Sequence, residues 1–344
     1  MMTDHPTLSL RDAARILREA ESVLILIHRK PDGDAAGSGF ALAQILRRMG
    51  KTARVVCGEP VPERLRFLMR DQEDCTYTEG MEDSFALLCA VDTASPSQLG
   101  SLAHLIPKIS LSLDHHGANT PFSPHFTKPD ASAAGEVLFD LYRMLTEGGQ
   151  LAEDADICRL LYSAIVSDTG GFQHSNTTPN THLCAAALME KINAARDGGD
   201  DTAMLCHRLL GCRTQSELRA QRAGMDALRL AFGGRLGAVV CPQEMLREHG
   251  LTNEDIGNIV DLPRSVAGVL IALSLKQDAD DPTSWHVSSR ASFEGDVSAV
   301  CAQFGGGGHK RAAGCTVTAS DGDEAFAIVC RAFGAILPPQ PQEV

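Results

Sequence analysis

The chain has 344 residues, a length sufficient for two domains that each have a hydrophobic core. Hydrophobic residues make up 44% of it and charged residues 22%. Its formal net charge of −13 argues against a protein that grips long duplex nucleic acid, although a small anionic substrate can still bind at a local group of cations. The eleven cysteines form no CxxC pair, which predicts free thiols in a reducing cytoplasm.

The first half of the chain alternates helical patterns with continuous apolar runs. An amphipathic helix is expected from Ser9 to Glu21, with Ser9 as its cap. The predicted strands that follow are Val23–Ile27, Ala53–Cys57, Phe85–Val91 and Lys108–Leu113. The predicted helices are Gly37–Met49, Pro62–Met69, Ser132–Leu145 and Ala155–Ser167. This alternation predicts an α/β fold with a parallel sheet covered on both faces.

The second half predicts a connecting segment and a smaller α/β domain. Thr181–Ala231 is expected to be all helical. The predicted strands beyond it are Ala238–Val240, Val266–Leu275, Trp285–Arg290 and Cys315–Ala319, and the predicted helices are Gly295–Gln303 and Asp323–Phe333. We therefore place domains at 1–190 and 233–337, a helical linker at 191–232 and a disordered tail at 338–344. The N-terminus lacks the features of a signal peptide, and no apolar run approaches about 18 residues, so no membrane span is expected.

Three predicted strands end in chemistry-bearing side chains. The first is followed by His28, Asp32 and Asp34, the third by Asp92, and the fourth by the run Asp114, His115 and His116. Asp168 falls on the apolar side of a predicted helix, at its end, where a carboxylate needs a partner. Because ligands gather at the carboxyl ends of parallel strands, we expect these side chains to converge.

Carboxylates and imidazoles without cysteine suit Mn²⁺ or Mg²⁺, with Fe²⁺ or Co²⁺ as alternatives, better than structural zinc. Five or six ligands are too many for one cation that keeps positions open for substrate, so two cations sharing a carboxylate are expected. Each motif has an ordinary alternative on its own, because Asp-Gly-Asp is often a turn and Asp92 or Asp114 can cap a helix. All four together, each after an apolar element, favour a metal site.

The run FGGGGHKRAAG (304–314) predicts a phosphate or nucleotide site. Its glycines, Gly305, Gly306, Gly307 and Gly308, let backbone N–H groups approach an anion, and His309, Lys310 and Arg311 follow. Arg290, at the end of a predicted strand, can fork onto phosphate oxygens. The alternatives are a flexible tether for the glycines and an ordinary surface arginine for Arg290.

Five ordered motifs resemble those of the DHH/DHHA1 phosphoesterase family from about Val23 to Ala335. They read HRKPDGDAAGS, AVDTAS, DHHGAN, SDTGGF and FGGGGHKRAAG. Among subfamilies, the chain is most similar to the two-domain bacterial oligoribonucleases that also act as phosphatases of 3′-phosphoadenosine-5′-phosphate (pAp). The stretches SDTGGFQHSNTTP and VSSRASFEGDVSAVCAQFGGGGHKRAAG both indicate that subfamily.

The resemblance implies a role for each matching position. The positions that match metal ligands are His28, Asp32, Asp34, Asp92, His115 and Asp168. Asp92 matches the carboxylate that bridges two divalent cations, most often Mn²⁺, with Mg²⁺ or Co²⁺ as alternatives. His116 matches the histidine that faces the scissile phosphate, and Asp114 matches an aspartate that orients a histidine. The positions that match substrate-binding residues are Arg290, Gly305, Gly306, Gly307, Gly308, His309 and Lys310.

The resemblance also implies the activity. We expect a cytoplasmic hydrolase with a metal-binding catalytic domain, a substrate-binding domain and a site in the cleft between them. Its expected substrates are very short RNAs, cleaved to mononucleotides, and pAp, converted to AMP. Long duplex DNA and membranes are not expected as partners, and a homodimer is left open. Lys30 and Gly171 depart from residues common in relatives, which leaves the nucleotide preference open.

Several alternatives share the same core. A linear or cyclic dinucleotide phosphodiesterase would use these metal ligands, and its membrane-associated forms would need segments not seen in this sequence. A RecJ-like single-strand exonuclease would need an added nucleic-acid-binding domain, and a family II pyrophosphatase lacks the GGGGH motif. A non-catalytic nucleotide sensor would be favoured by the loss of a metal ligand, and none is lost.

Overall fold

The computed structural model describes residues 5–72, 74–117, 120–195, 197–257 and 259–339. The chain forms two compact units that divide between Cys212 and Arg213. The stretch 191–232, expected to be a linker, therefore contributes residues to both units. Of the tail expected at 338–344, only the first two residues lie inside the described ranges.

The first unit is built on a five-stranded sheet in which all neighbouring strands are parallel. The strands are β1 (Ser22–Leu26), β2 (Thr52–Val56), β3 (Leu87–Val91), β4 (Ile109–Asp114) and β5 (His125–Thr127), in the order β2-β1-β3-β4-β5. Along β1, Val23 and Ile25 join one hydrophobic cluster while Leu24 and Leu26 join another. The sheet is therefore buried on both faces, which confirms the predicted parallel α/β architecture.

In the part of this unit that the structure describes, six α-helices and several shorter helical turns accompany the sheet. The helices are α1 (Leu10–Glu19), α2 (Gly33–Arg48), α3 (Ala134–Glu147), α4 (Ala155–Asp168), α5 (Pro179–Ala194) and α6 (Thr202–Cys206). The 3₁₀ segments are Glu63–Met69, Met81–Ser84 and Pro96–Lys108, and a π turn spans His207–Gly211. A Cβ on Gly37 would lie 2.7 Å from the carbonyl oxygen of Leu160, so a glycine there allows α2 to pack closely against α4.

Helix α2 begins four residues earlier than the sequence predicted. The side chain of Asp32 accepts hydrogen bonds from the backbone N–H groups of Asp34 and Ala35, which makes it the N-cap. Asp34 therefore lies in the first turn of a buried helix rather than in a loop, and its side chain is 1% exposed. This cap fixes two of the predicted site residues relative to each other.

The second unit contains a mixed six-stranded sheet. Its strands are β6 (Leu228–Ala231), β7 (Leu236–Cys241), β8 (Ile271–Gln277), β9 (Ser284–Ala291), β10 (Gly307–His309) and β11 (Ala312–Thr318), in the order β10-β11-β9-β8-β7-β6. Only the β7–β8 pair is parallel. The helices are α7 (Gln215–Asp226), α8 (Gln243–Glu248), α9 (Asp261–Arg264), α10 (Val297–Ala302) and α11 (Gly322–Gly334). Trp285 and Phe333 lie fully buried in its core.

Two predictions for this half of the chain were wrong in detail. Thr181–Ala231 is not all helical, because Leu228–Ala231 forms strand β6 at the edge of the sheet. The strand predicted from Val266 begins only at Ile271, after a turn in which Gly268 has a left-handed φ of 87°. Within the described ranges, no helix is both long and apolar enough to cross a membrane.

Candidate metal centre

The carboxyl ends of β1, β3 and β4 bring the predicted site residues of the first unit together. These strands are neighbours in the sheet, so the residues that follow them lie side by side. His28 comes two residues after β1, Asp92 directly follows β3, and Asp114 ends β4 with His115 and His116 behind it. The convergence results from the strand order, which places segments far apart in sequence at one edge.

Asp92 lies at the centre of this group. Its Oδ2 is 3.6 Å from Nε2 of His28, while its Oδ1 is 3.6 Å from Nε2 of His115 and 3.7 Å from Nδ1 of His116. Asp92 has a left-handed φ of 53°, a conformation that aspartate tolerates better than most residues. One carboxylate thus faces imidazoles on both sides.

The remaining predicted ligands complete two flanking groups. Nε2 of His28 is 3.7 Å from Oδ1 of Asp32. Nε2 of His115 is 3.7 Å from Oδ2 of Asp34 and 3.8 Å from Oδ2 of Asp168. Three sets of ligand atoms, each within 4.8 Å of one another, result: Asp92, Asp114, His115 and His116; His28, Asp32 and Asp92; and Asp34, His115 and Asp168.

Backbone N–H groups at the start of α3 hold Asp34 in place. Its Oδ2 accepts a hydrogen bond from the N–H of Ala134 at 2.7 Å, and its Oδ1 accepts one from Gly135 at 3.0 Å. The hydroxyl of Ser38 donates a third, at 2.9 Å to Oδ1. The N-terminus of a helix favours a negative charge, so α3 stabilises the Asp34 carboxylate in a buried position.

Asp114 and a backbone carbonyl orient the two histidines. Oδ1 of Asp114 accepts hydrogen bonds from the backbone N–H of His115 and from Nδ1 of His116, both at 2.8 Å. Nδ1 of His115 lies 3.3 Å from the carbonyl oxygen of Ala131, which leaves Nε2 of that ring facing the carboxylates. Such partners fix the tautomer and the direction of an imidazole.

The electrostatics of this group fit divalent cations. Burial, together with the charges of nearby aspartates, raises the pKa of the Asp34 and Asp92 carboxyls well above their usual range, and burial also raises the pKa of Asp168. Oδ1 of Asp92 and Oδ2 of Asp114 are buried without a hydrogen-bond partner in the described ranges. Burying a carboxylate oxygen without a hydrogen-bond partner destabilises the folded protein unless a nearby positive charge compensates the loss of hydration. The donors are oxygen and imidazole nitrogen only, which suits a hard or borderline cation.

Sequence analysis did not predict one residue of this site, Asn176. The side-chain amide of Asn176 donates to Oδ2 of Asp168 at 3.1 Å and to the backbone carbonyl of Ser132 at 2.9 Å. Asn176 belongs to the quoted stretch SDTGGFQHSNTTP, but nothing in its spacing from Asp168 predicts that the chain turns back to contact it. The contact depends on the loop after α4.

In the second unit, Arg290 and His309 lie in one row across the sheet. Ala312 on β11 pairs with Arg290 on β9 and with His309 on β10. Directly paired residues point to the same face, so both side chains flank the small methyl group of Ala312. Two strand spacings separate the outer residues, which is a gap of about 10 Å. The row places an arginine and a histidine on opposite sides of an open position.

The glycine run forms an exposed loop that leads into β10. Gly305 has a left-handed φ of 71°, and Gly307 has no other atoms near the place of a Cβ. Lys310 forms an ion pair, in which its Nζ lies 3.5 Å from Oε2 of Glu294, and Glu294 also pairs with Arg311. These ion pairs are exposed and hence weak, so an anionic ligand can compete for both cations.

Comparison with known proteins identifies the family. Residues 22–165 match the family model described as the N-terminal domain of the DHH family, and residues 236–335 match the DHHA1 domain. The chain is 31% identical to the bifunctional oligoribonuclease and PAP phosphatase NrnA of Thermus thermophilus over 94% of its own length and 93% of that protein. The chain belongs to the DHH family. This membership confirms the resemblance that the five motifs indicated, and it makes the protein a DHH phosphoesterase.

Other similar proteins share less of their sequence with this chain. The bifunctional oligoribonuclease and PAP phosphatase NrnA of Bacillus subtilis is 22% identical over 88% of this chain and 91% of that protein. An exopolyphosphatase-related protein from Bacteroides fragilis has a similar fold, with a TM-score of 0.82, 19% identity and 95% coverage of both chains. A manganese-bound RecJ exonuclease structure gives a TM-score of 0.56 at 16% identity, with 97% of this chain and 96% of that chain covered.

Proposed function

We propose that this DHH protein hydrolyses very short RNA oligonucleotides to mononucleotides and pAp to AMP. The observation that carries the proposal is the position of Asp92, whose two carboxylate oxygens each lie 3.6 Å from the imidazole of a different segment, His28 on one side and His115 on the other. A carboxylate so placed can be shared by two cations. The names of the relatives from Thermus thermophilus and Bacillus subtilis supply the substrate class.

Two divalent cations would be held by the residues around Asp92. We assign the ligands as His28, Asp32, Asp34, Asp92, His115 and Asp168. When bound, such a pair polarises a phosphate, activates water and stabilises both the attacking and the leaving oxygen. Mn²⁺ is the first ion to test, because oxygen and imidazole donors suit it and a structure of similar fold was solved with manganese, while Mg²⁺ and Co²⁺ remain alternatives.

His116 acts on the phosphate in this proposal. Nδ1 of His116 donates a hydrogen bond to Asp114, so Nε2 is the nitrogen that can donate a proton to a phosphate oxygen. The hydrogen bond that His116 donates to Asp114 raises the pKa of His116, which favours the protonated form of the ring. The His116 side chain is 38% exposed, whereas Asp92 and Asp114 are each 3% exposed, so His116 is the one that substrate can reach most easily.

In this proposal, the second unit contributes residues that bind substrate. Arg290 and His309, in their shared row, would contact phosphate and nucleoside groups, and the backbone N–H groups of Gly305–Gly308 would approach a phosphate without steric hindrance. Lys310 would join them when an anion displaces Glu294. The net charge of −13 disfavours long strands, which present many phosphates, and thus favours substrates of two to five nucleotides.

The test is hydrolysis with Mn²⁺ of a 5′-labelled RNA dimer, a 24-mer of RNA and pAp. We expect the dimer to be cleaved much faster than the 24-mer, and pAp to yield AMP. Asp92→Asn should abolish all of these activities, whereas Asp71→Asn, which removes an exposed carboxylate of the same unit, should leave them unchanged.

Each of the other outcomes would favour a different function. Faster cleavage of the 24-mer would contradict the short-substrate assignment and favour a RecJ-like exonuclease. Cleavage of a linear or cyclic dinucleotide in strong preference to both substrates would favour a dinucleotide phosphodiesterase. Binding of pAp without hydrolysis of any substrate would favour a nucleotide sensor.

A further inference from the structure

The loop after α4 folds back onto the end of that helix. Gly170, Gly171 and Phe172 all have left-handed φ angles, between 56° and 69°, which reverses the chain within a few residues. The reversal returns His174 and Asn176 to Asp168, the last residue of α4. Nδ1 of His174 lies 3.0 Å from the carbonyl oxygen of Asp168.

Asn176 contacts the carboxylate of Asp168 at the oxygen that faces the metal centre. Its Nδ2 donates to Oδ2 of Asp168 at 3.1 Å, and the same Oδ2 lies 3.8 Å from Nε2 of His115. Nδ2 also donates to the carbonyl oxygens of Asp168 at 3.2 Å and Ser132 at 2.9 Å. All three partners are acceptors, so the amide presents its NH2 group to them and not its oxygen, and its two N–H bonds are shared among the three.

A carboxylate at the end of a helix needs such a donor. The C-terminus of α4 carries partial negative charge, which repels the Asp168 carboxylate, and burial raises its cost further. Without a donor, the Asp168 side chain would lower its free energy by rotating toward water, which it can reach because it is 30% exposed. A carboxylate oxygen has two lone pairs, so one hydrogen bond from Asn176 still leaves a lone pair for a cation.

We propose that Asn176 is a positioning residue of the metal centre, whose amide fixes the Asp168 oxygen that faces His115. The inference rests on the proposed assignment of Asp168 as a metal ligand. Partners that orient a ligating carboxylate typically contribute 10- to 100-fold to metal affinity. Asn176 contributes through Asp168 and does not contact substrate.

The test measures Mn²⁺ binding by titration calorimetry without substrate. We expect Asn176→Ala to weaken Mn²⁺ binding about 10- to 100-fold, and excess Mn²⁺ to restore its kcat toward that of the wild type. The matched control is Asn180→Ala, which removes another side-chain amide four residues further along the chain, in α5. Asn180 donates to Oε2 of Glu136 at 2.8 Å and does not contact Asp168, so its loss should lower the melting temperature and leave the Mn²⁺ affinity unchanged.

The outcomes separate this inference from the proposed function. Equal Mn²⁺ affinity in Asn176→Ala and the wild type, with binding lost in Asp92→Asn, would overturn the role of Asn176 alone. A wild-type protein that binds Mn²⁺ but hydrolyses neither substrate would overturn the proposed activity alone. A wild-type protein that binds no divalent cation would overturn both. If Asn176→Ala does not fold, Asn176→Gln keeps an amide in the site, displaced by one methylene, and gives the same test.

Discussion

Nδ1 of His116 lies 2.8 Å from Oδ1 of Asp114, the distance of a hydrogen bond in which the ring nitrogen donates to the carboxylate. Asp114 is 3% exposed and His116 is 38% exposed, so the pair joins a buried anchor to an accessible imidazole. The same carboxylate oxygen accepts the backbone N–H of His115. Asp114 therefore orients the ring of His116 and does not have to bind a cation itself.

The pair predicts unequal losses of activity. Asp114→Asn should lower kcat about 10- to 100-fold, because the ring of His116 loses its charged partner. His116→Ala should lower kcat about 10²- to 10⁴-fold, the range for a lost acid or base, with a smaller change in KM. Steady-state hydrolysis of pAp at saturating Mn²⁺ measures both. His104→Ala, a histidine elsewhere in the unit that contacts Tyr77, should have no effect. Wild-type kcat in Asp114→Asn would contradict the orienting role.

Stability should depend on the buried carboxylate of Glu136. Oε1 of Glu136 accepts hydrogen bonds from the N–H and hydroxyl of Ser132 and from the hydroxyl of Thr181, and Oε2 accepts one from Asn180. Glu136→Ala would leave these donors buried without an acceptor, at a cost of about 2–4 kcal/mol in the free energy of unfolding. Denaturant unfolding of the metal-free protein measures this cost. Glu147→Ala, at the exposed end of α3, is the control and should change stability by less than about 0.5 kcal/mol.

The same carboxylate predicts how stability changes with pH. Burial alone would raise the pKa of Glu136, but hydrogen bonds from Ser132, Thr181 and Asn180 outweigh it and lower that pKa below its ordinary value of 4.5. A group whose pKa is lowered by folding stabilises the protein above its unfolded pKa, and this contribution is lost as pH falls through its folded pKa. The stability difference between wild type and Glu136→Gln should therefore shrink as the pH falls from about 5 toward 3. A difference that stays constant over this range would contradict it.

A larger side chain at Ala312 should interfere with substrate binding between Arg290 and His309. Ala312→Val adds two methyl carbons to the position between them, and β-branched residues suit a strand, so the fold should be retained. We expect KM for pAp to rise roughly tenfold, equivalent to about 1.4 kcal/mol of lost binding, with Mn²⁺ affinity unchanged. Thr316→Val, four residues along the same strand and on the same face, is the control. Equal KM values in the two variants would place the substrate elsewhere.

Local sequence patterns were sufficient to predict four of the five strands in the sheet of the first unit, and β5 (His125–Thr127) was missed. Strands β1 to β4 contain short apolar runs, and polar residues follow β1, β3 and β4, so both the parallel sheet and the gathering of His28, Asp92 and His115 at one edge could be predicted. Strand β5 is only three residues long and has no apolar run. The start of α2 was misplaced because the Asp-Gly-Asp stretch was interpreted as a loop. The cap formed by Asp32 extends the helix into that stretch.

Contacts that depend on long-range pairing could not be predicted. Strand β6 is short and only partly buried, and it is defined by antiparallel pairing with β7 rather than by an apolar run of its own. The ion pairs from Glu294 to Lys310 and Arg311 join residues that α10 and the glycine run separate in the sequence. The contact of Asn176 with Asp168 needs three successive left-handed residues, of which only the glycines carry a sequence signal.

Two neighbouring glycines predict opposite consequences of the same substitution. A Cβ on Gly306 would overlap the carbonyl oxygen of Gly314 and lie 2.5 Å from Cβ of Cys315, whereas a Cβ on Gly307 would have no neighbour within 4 Å. Gly306→Ala should therefore destabilise the second unit by about 1–3 kcal/mol, the usual cost of overpacking. Gly307→Ala should change the free energy of unfolding by less than about 1 kcal/mol. Thermal and denaturant unfolding compare the two.

The Gly307→Ala variant then tests whether the glycine run contacts the substrate. If backbone N–H groups of the run approach a phosphate, an added methyl group at this exposed position interferes with that approach, and KM for pAp should rise although the fold is intact. Gly257→Ala, at an exposed position of the same unit where a Cβ would have no neighbour closer than 3.7 Å, controls for the loss of a glycine as such. An unchanged KM in Gly307→Ala would show that the glycine run serves the fold of β10 and β11 and does not contact the phosphate.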